Sequence, residues 1–148
     1  VDVAELFDDE LVDAASPLAA IARSVVLELS QGTVLGAPDG VLGRLRELRR
    51  LGFRIAVDDF GSVNVDLASL SRIEPDVVKL DLPLIQGLDA DASLQAQLRW
   101  LVKALHVEGI EIVAEGVETP GERYAAVDFG VDYLQGFLFG RPKPLVSR

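Results

Sequence analysis

The chain has 148 residues, is 49% hydrophobic, carries a net charge of −10 and contains no cysteine. That length holds one sizeable core, and the missing cysteine excludes disulfides, thiolate metal sites and cysteine nucleophiles. A surface this acidic repels nucleic acid polymers, no apolar run reaches the roughly 18 residues of a membrane span, and no charged-then-apolar leader opens the chain, so a cytoplasmic location is expected.

Apolar runs alternate with amphipathic segments from one end to the other. Val1-Asp2-Val3 reads as a weak strand, and Val25 to Leu29 as a buried one. Val41 to Leu51 is expected to be a helix, with Val41, Leu42, Leu45 and Leu48 on one face and Gly52 at its end. Arg44, Arg46, Arg49 and Arg50 on that helix read as a solvated face. Arg54 to Val57 is the next strand, Leu67 to Ile73 a short helix, and Asp76 to Leu80 another strand. Leu94, Leu98, Leu101, Val102 and Leu105 stripe the longest helix, which closes near Gly109. On it, Trp100 reads as packing, and His106 as a dipole or surface contact. Ile110 to Ala114 is a strand. Thr119-Pro120-Gly121-Glu122 carries the chemistry of a helix start, with Thr as N-cap, Pro at the first helical position and Glu completing a capping box. Short strands around 131–134 and 137–139 complete the series.

Repeated strand-then-helix units with continuously apolar strands imply a parallel sheet covered by helices. The fold class is α/β, TIM-barrel-like. A closed eight-stranded barrel takes about 250 residues, so the first strand and helix are expected to lie upstream. Residues 1–148 read as a single domain without an internal linker.

Polar residues recur where the strands end: Glu28, then Asp58 and Asp59, then Lys79 and Asp81, then Glu115, then Gln135. In parallel β/α folds those ends share one face, so residues distant in sequence converge there. Converging carboxylates need a counter-charge. Hard cations such as Mg²⁺ or Mn²⁺ suit oxygen ligands, and an Asp pair suits bridging two of them. Asp59-Phe60-Gly61 also matches the magnesium-binding tripeptide of protein kinases, but the glycine-rich loop and catalytic-loop motif of that family are absent. Lys79 has a plainer role open to it, as the ion-pair partner of a strand-end carboxylate.

Four blocks in order, Val57 to Gly61, Asp76 to Asp81, Val113 to Thr119 and Asp132 to Pro142, resemble the signature blocks of EAL domains, bacterial phosphodiesterases that linearise cyclic di-GMP to pGpG. The resemblance implies a (β/α)8 barrel of the EAL type with a two-metal site. It implies Glu28, Asp58, Asp59 and Glu115 as metal ligands, with Asp59 bridging. Lys79 would contact the attacking water and the phosphate, Glu118 would support the site, and Gln135 would line its mouth and meet the substrate. The chemistry is two cations that bracket a water, lower its pKa and clamp the phosphodiester for in-line attack. The family also implies a homodimer and accompanying sensor or cyclase domains.

Three features depart from the family pattern. The Glu-Ala-Leu block does not occur. Asp2 stands where a ligating asparagine is expected, and is carried as a further metal ligand. Gln31 replaces the glutamate that anchors the loop after Asp58-Asp59-Phe60-Gly61, and Ser62 to Asp66 rewrites that loop. Two functions therefore stay open: a metal-dependent cyclic di-GMP phosphodiesterase, and an inactive EAL domain acting as a cyclic di-GMP-binding or protein-interaction module.

Overall fold

The computed structural model describes residues 1–13, 15–34, 39–61 and 67–142. Three short helices come first, α1 (Val3–Leu6), α2 (Asp9–Val12) and α3 (Pro17–Ala20). Then follow β1 (Val26–Ser30), α4 (Gln31–Val34), α5 (Asp39–Leu51), β2 (Arg54–Phe60) and α6 (Leu67–Ile73). The last part comprises β3 (Val77–Leu80), α7 (Ala92–Val107), β4 (Glu111–Ala114), α8 (Pro120–Asp128) and β5 (Tyr133–Leu134). Five strands form one parallel sheet in the order β1-β2-β3-β4-β5, so each unit is laid beside the previous one in chain order. That is the winding of a β/α barrel.

Side chains alternate across each strand. Leu27 and Leu29, Ile55 and Val57, Val78 and Leu80, and Ile112 and Ala114 join the buried core with the helix residues Leu45, Leu48, Leu98, Leu101 and Leu105. The opposite, concave face is lined by Val26, Glu28, Arg54, Val77, Lys79, Glu111, Tyr133 and Gln135. Arg54 and Glu111 pair across it at 2.7 Å, from β2 to β4. One device recurs at the base of the sheet. Asp76, just before β3, accepts the Ile55 N–H at 2.8 Å, and Asp132, just before β5, accepts the Ile112 N–H at 2.8 Å. Each carboxylate takes a donor at the strand's beginning that the ladder does not reach.

Several expectations change. Val1–Val3 is not a strand: Asp2 caps α1, accepting the Glu5 N–H while Glu5 accepts the Asp2 N–H, and this capping box outweighs the two flanking valines. Residues 137–139 form turns, with the Phe139 N–H bonded back to the Gly136 carbonyl at 3.1 Å. Trp100 does not pack inside; it is 59% exposed, because the buried stripe of α7 passes through Leu98, Leu101 and Val102. His106 makes the surface contact, to Asp132 at 3.0 Å.

The arginines of α5 divide. Arg46 and Arg50 are exposed, but Arg44 is 9% exposed and donates to the Leu6 and Asp8 carbonyls (2.8 and 2.7 Å), fastening the N-terminal helices to α5. Arg49 donates to the Ile73 and Glu74 carbonyls at the end of α6. Hydrogen bonds made by a charged group contribute about 1.5–3 kcal/mol each in mutational series. Arg44→Ala is expected to lower the stability by about 2 kcal/mol, read as a shift of the urea midpoint, while Arg46→Ala stays within about 0.5 kcal/mol of the wild type.

Candidate active site

The carboxylates predicted at the strand ends converge around one lysine. Lys79, on the concave face of β3, places its Nζ 3.2 Å from Glu28 Oε2, 3.1 Å from Asp58 Oδ1 and 2.9 Å from Glu115 Oε1. Three strands thus send an acid to the one between them. The lysine is 9% exposed. Burial by itself would lower its pKa, but the hydrogen bonds it donates to Glu115, Asp58 and Glu28 outweigh it and raise the pKa above the usual lysine value, so Lys79 is an ammonium at every working pH. Glu115 is raised above the ordinary glutamate range. Burial is the largest cause, Lys79 pulls the other way, and the Asp58 and Glu28 charges add to the rise.

Asp59 reaches the same rim through a distortion of β2. Consecutive side chains of a regular strand point to opposite faces, so Asp58 and Asp59 would part. Here Val57 pairs with Val78 and Phe60 with Leu80, which puts one extra residue on β2, and Asp59 takes the left-handed conformation at φ 57°. Asp58, Asp59 and Glu115 then offer oxygens that all lie within 4.8 Å of one another. Oxygens on opposite sides of one hard cation stand about 4–5 Å apart, so the donor set and spacing fit such an ion. Four carboxylates around one ammonium leave the rim an excess of negative charge for it to balance.

The other predicted residues lie as follows. Gln135 lines the concave face with Glu28 and Lys79, its backbone bonded to Ala114 O (2.8 Å) and Val117 N (3.0 Å). Glu118 lies on the loop after β4 with its side chain exposed, outside the group of close ligand oxygens. The Val1 amino group donates to the Glu28 carbonyl at 2.7 Å, so Asp2 lies beside β1, but its carboxylate is engaged by the Glu5 N–H at 2.8 Å. Gln31, read from the sequence as a lost anchor, still holds: it is 2% exposed, and its Oε1 accepts the Gly61 N–H at 3.1 Å. The rewritten stretch 62–66 lies outside the described residues. Sequence reasoning missed the reach of Glu122, which was legible only as half of a capping box.

A parallel β/α array with an acidic, lysine-centred rim at its strand ends defines the TIM-barrel-like class. The family model described as "EAL domain" matches residues 2–142, and the chain belongs to that family. It is 34% identical over 125 residues to the cyclic di-GMP phosphodiesterase PdeB of Shewanella oneidensis, a match that covers 84% of this chain and 15% of that protein. Klebsiella pneumoniae BlrP1, solved with cyclic di-GMP and calcium or manganese, is 35% identical with a TM-score of 0.77, covering 82% of this chain and 31% of that one. PaMucR, a phosphodiesterase solved with cyclic di-GMP, is 30% identical with a TM-score of 0.82, covering 98% of this chain and 60% of that one. The chain thus spans well under a third of the curated relative it matches. Among the described residues no helix is long and apolar enough to cross a membrane.

Replacing Lys79 exposes the charge balance. Glu115 binds its proton more tightly in the folded chain than in the unfolded one, so its contribution to stability is greatest below its unfolded pKa, about 4.3, and declines as pH rises through the folded value. Lys79→Met removes the counter-charge and steepens that decline. The expected outcome is a urea midpoint that falls between about pH 4 and 7 in the variant and falls less in the wild type; parallel curves count against a lysine-balanced rim.

Proposed function

We propose that this chain is an EAL-type domain that binds cyclic di-GMP and a divalent cation and hydrolyses the dinucleotide to linear pGpG. The observation that carries the reading is the meeting of Glu28, Asp58 and Glu115 on the Lys79 ammonium, with Asp59 turned onto the same rim. Asp58, Asp59 and Glu115 would hold the cation, Mg²⁺ or Mn²⁺, with Glu28 and Asp2 as further ligands on the β1 side. A bound divalent cation supplies charge neutralisation at the phosphate and a coordinated water of lowered pKa. Lys79, a permanent ammonium 3 Å or so from three acids, orients those carboxylates and offers its remaining charge to the phosphate and the attacking water. Gln135 faces the substrate from the concave side, and Glu118 supports the rim from the loop after β4. Gln31 favours retained organisation, because it still grips Gly61 at the beginning of the loop that follows the bulge.

A second reading, an inactive domain that binds cyclic di-GMP or a protein partner in a regulatory role, is favoured by Asp2. Its carboxylate caps a helix where the family places a ligating asparagine. A homodimer and companion sensor or cyclase domains fit either reading.

Turnover separates them. The intact protein is incubated with cyclic di-GMP and Mg²⁺ or Mn²⁺, beside Asp58→Ala and a chelator-treated sample. Hydrolysis by the wild type is expected, abolished by the chelator and reduced at least about 100-fold by Asp58→Ala, since even partners behind the metal ligands cost 10–100-fold. Binding without hydrolysis leaves the regulatory reading standing. Full turnover in Asp58→Ala means that the site lies elsewhere.

A further inference from the structure

Glu122 is the third residue of α8 and is 4% exposed. Part of its bonding belongs to the helix start. Thr119 Oγ1 accepts the Glu122 N–H at 3.2 Å, and Glu122 Oε2 accepts the Thr119 N–H at 3.0 Å. Two further bonds do not. Oε2 also accepts the Glu118 N–H at 2.9 Å, and Oε1 accepts the N–H of Gly87 at 3.0 Å, from the loop after β3. Both oxygens are thus engaged by backbone donors from two different loops. Only a carboxylate does this: a carboxamide has one acceptor oxygen and would turn an N–H group toward an N–H group.

The joined loops flank the acidic rim. One leaves β4 through Glu115 and Glu118, and the other leaves β3 just after Lys79 and Leu80. Their packing is tight nearby. Gly116 has φ 70°, with Leu82 lying where a Cβ would stand, and Gly136, next to Gln135, lies against the Val117 backbone with no room for a side chain. Burial would raise the Glu122 pKa, but the N–H donors of Gly87, Glu118 and Thr119 outweigh it and hold the pKa below the ordinary glutamate value.

We propose that Glu122 is a positioning residue, fastening the loop that carries Glu115 and Glu118 to the loop that follows Lys79 and so setting the spacing of the rim. Its consequence for catalysis rests on the phosphodiesterase reading; the fastening itself does not.

The test compares Glu122→Gln with Thr119→Ala in the intact protein. It reads backbone amide exchange, Mn²⁺ affinity by electron paramagnetic resonance, and kcat and KM on cyclic di-GMP. Glu122→Gln is expected to speed exchange at Gly87 and Glu118 and to lower Mn²⁺ affinity and kcat about 10-fold. Thr119→Ala, which removes a cap oxygen and leaves the fastening, is expected to lower the melting temperature and to leave Mn²⁺ affinity and kcat near wild type. Equal losses in the two variants, or unchanged exchange at Gly87 in Glu122→Gln, overturn the proposal. Glu122→Asp, which keeps the charge but shortens the reach, gives the same reading where the amide variant does not fold. A wild type that takes up neither Mn²⁺ nor cyclic di-GMP overturns the function proposed above, and exchange at Gly87 and Glu118 then decides the fastening alone.

Discussion

The site depends on one ammonium buried among acids. Glu28, Asp58 and Glu115 come from three strands, and each would repel the others if the concave face held no positive charge. Lys79 supplies it from the strand between them, at the position where alternation turns the side chain away from the helices. The compensation is incomplete. Glu115 still sits above its ordinary pKa, chiefly because it is buried and in smaller part because the Asp58 and Glu28 charges outlast what Lys79 compensates.

The second constraint is backbone strain at Asp59. A non-glycine residue in the left-handed region costs on the order of 1 kcal/mol or more and persists only where the surroundings fix it. Here β2 and β3 continue their pairing on both sides of the extra residue, at Val57 with Val78 and at Phe60 with Leu80. The cost places two adjacent carboxylates on one rim, an arrangement a regular strand forbids. Gln31 and Gly61 hold the chain immediately beyond it.

Much of the fold was legible. Every core strand from β1 to β4 and the helices α5 and α7 follow from apolar patterning, and Thr119 with Glu122 marked the beginning of α8 because capping chemistry is local. The failures share a cause. At Val1–Val3 and at 137–139 the apolar residues took their local geometry from a cap and from turns. Trp100 was misjudged because proximity to a stripe says nothing about which side of a helix a residue occupies. Arg44 and Arg49 looked like surface charge because their partners are carbonyls far away in sequence, which no pattern of residue types records. At the site, the acids and Lys79 were readable as strand ends, but their meeting on one nitrogen, the bulge and the second arm of Glu122 depend on register.

Gln31 has a consequence of its own. A carboxylate at this position would add its charge to an already anionic rim. An amide oxygen accepts the same N–H with no charge and no titration in the biological range. In this chain the grip on Gly61 therefore adds no charge to the rim. The hydrogen bond that fixes Gly61 and the charge of the rim are thereby separate properties.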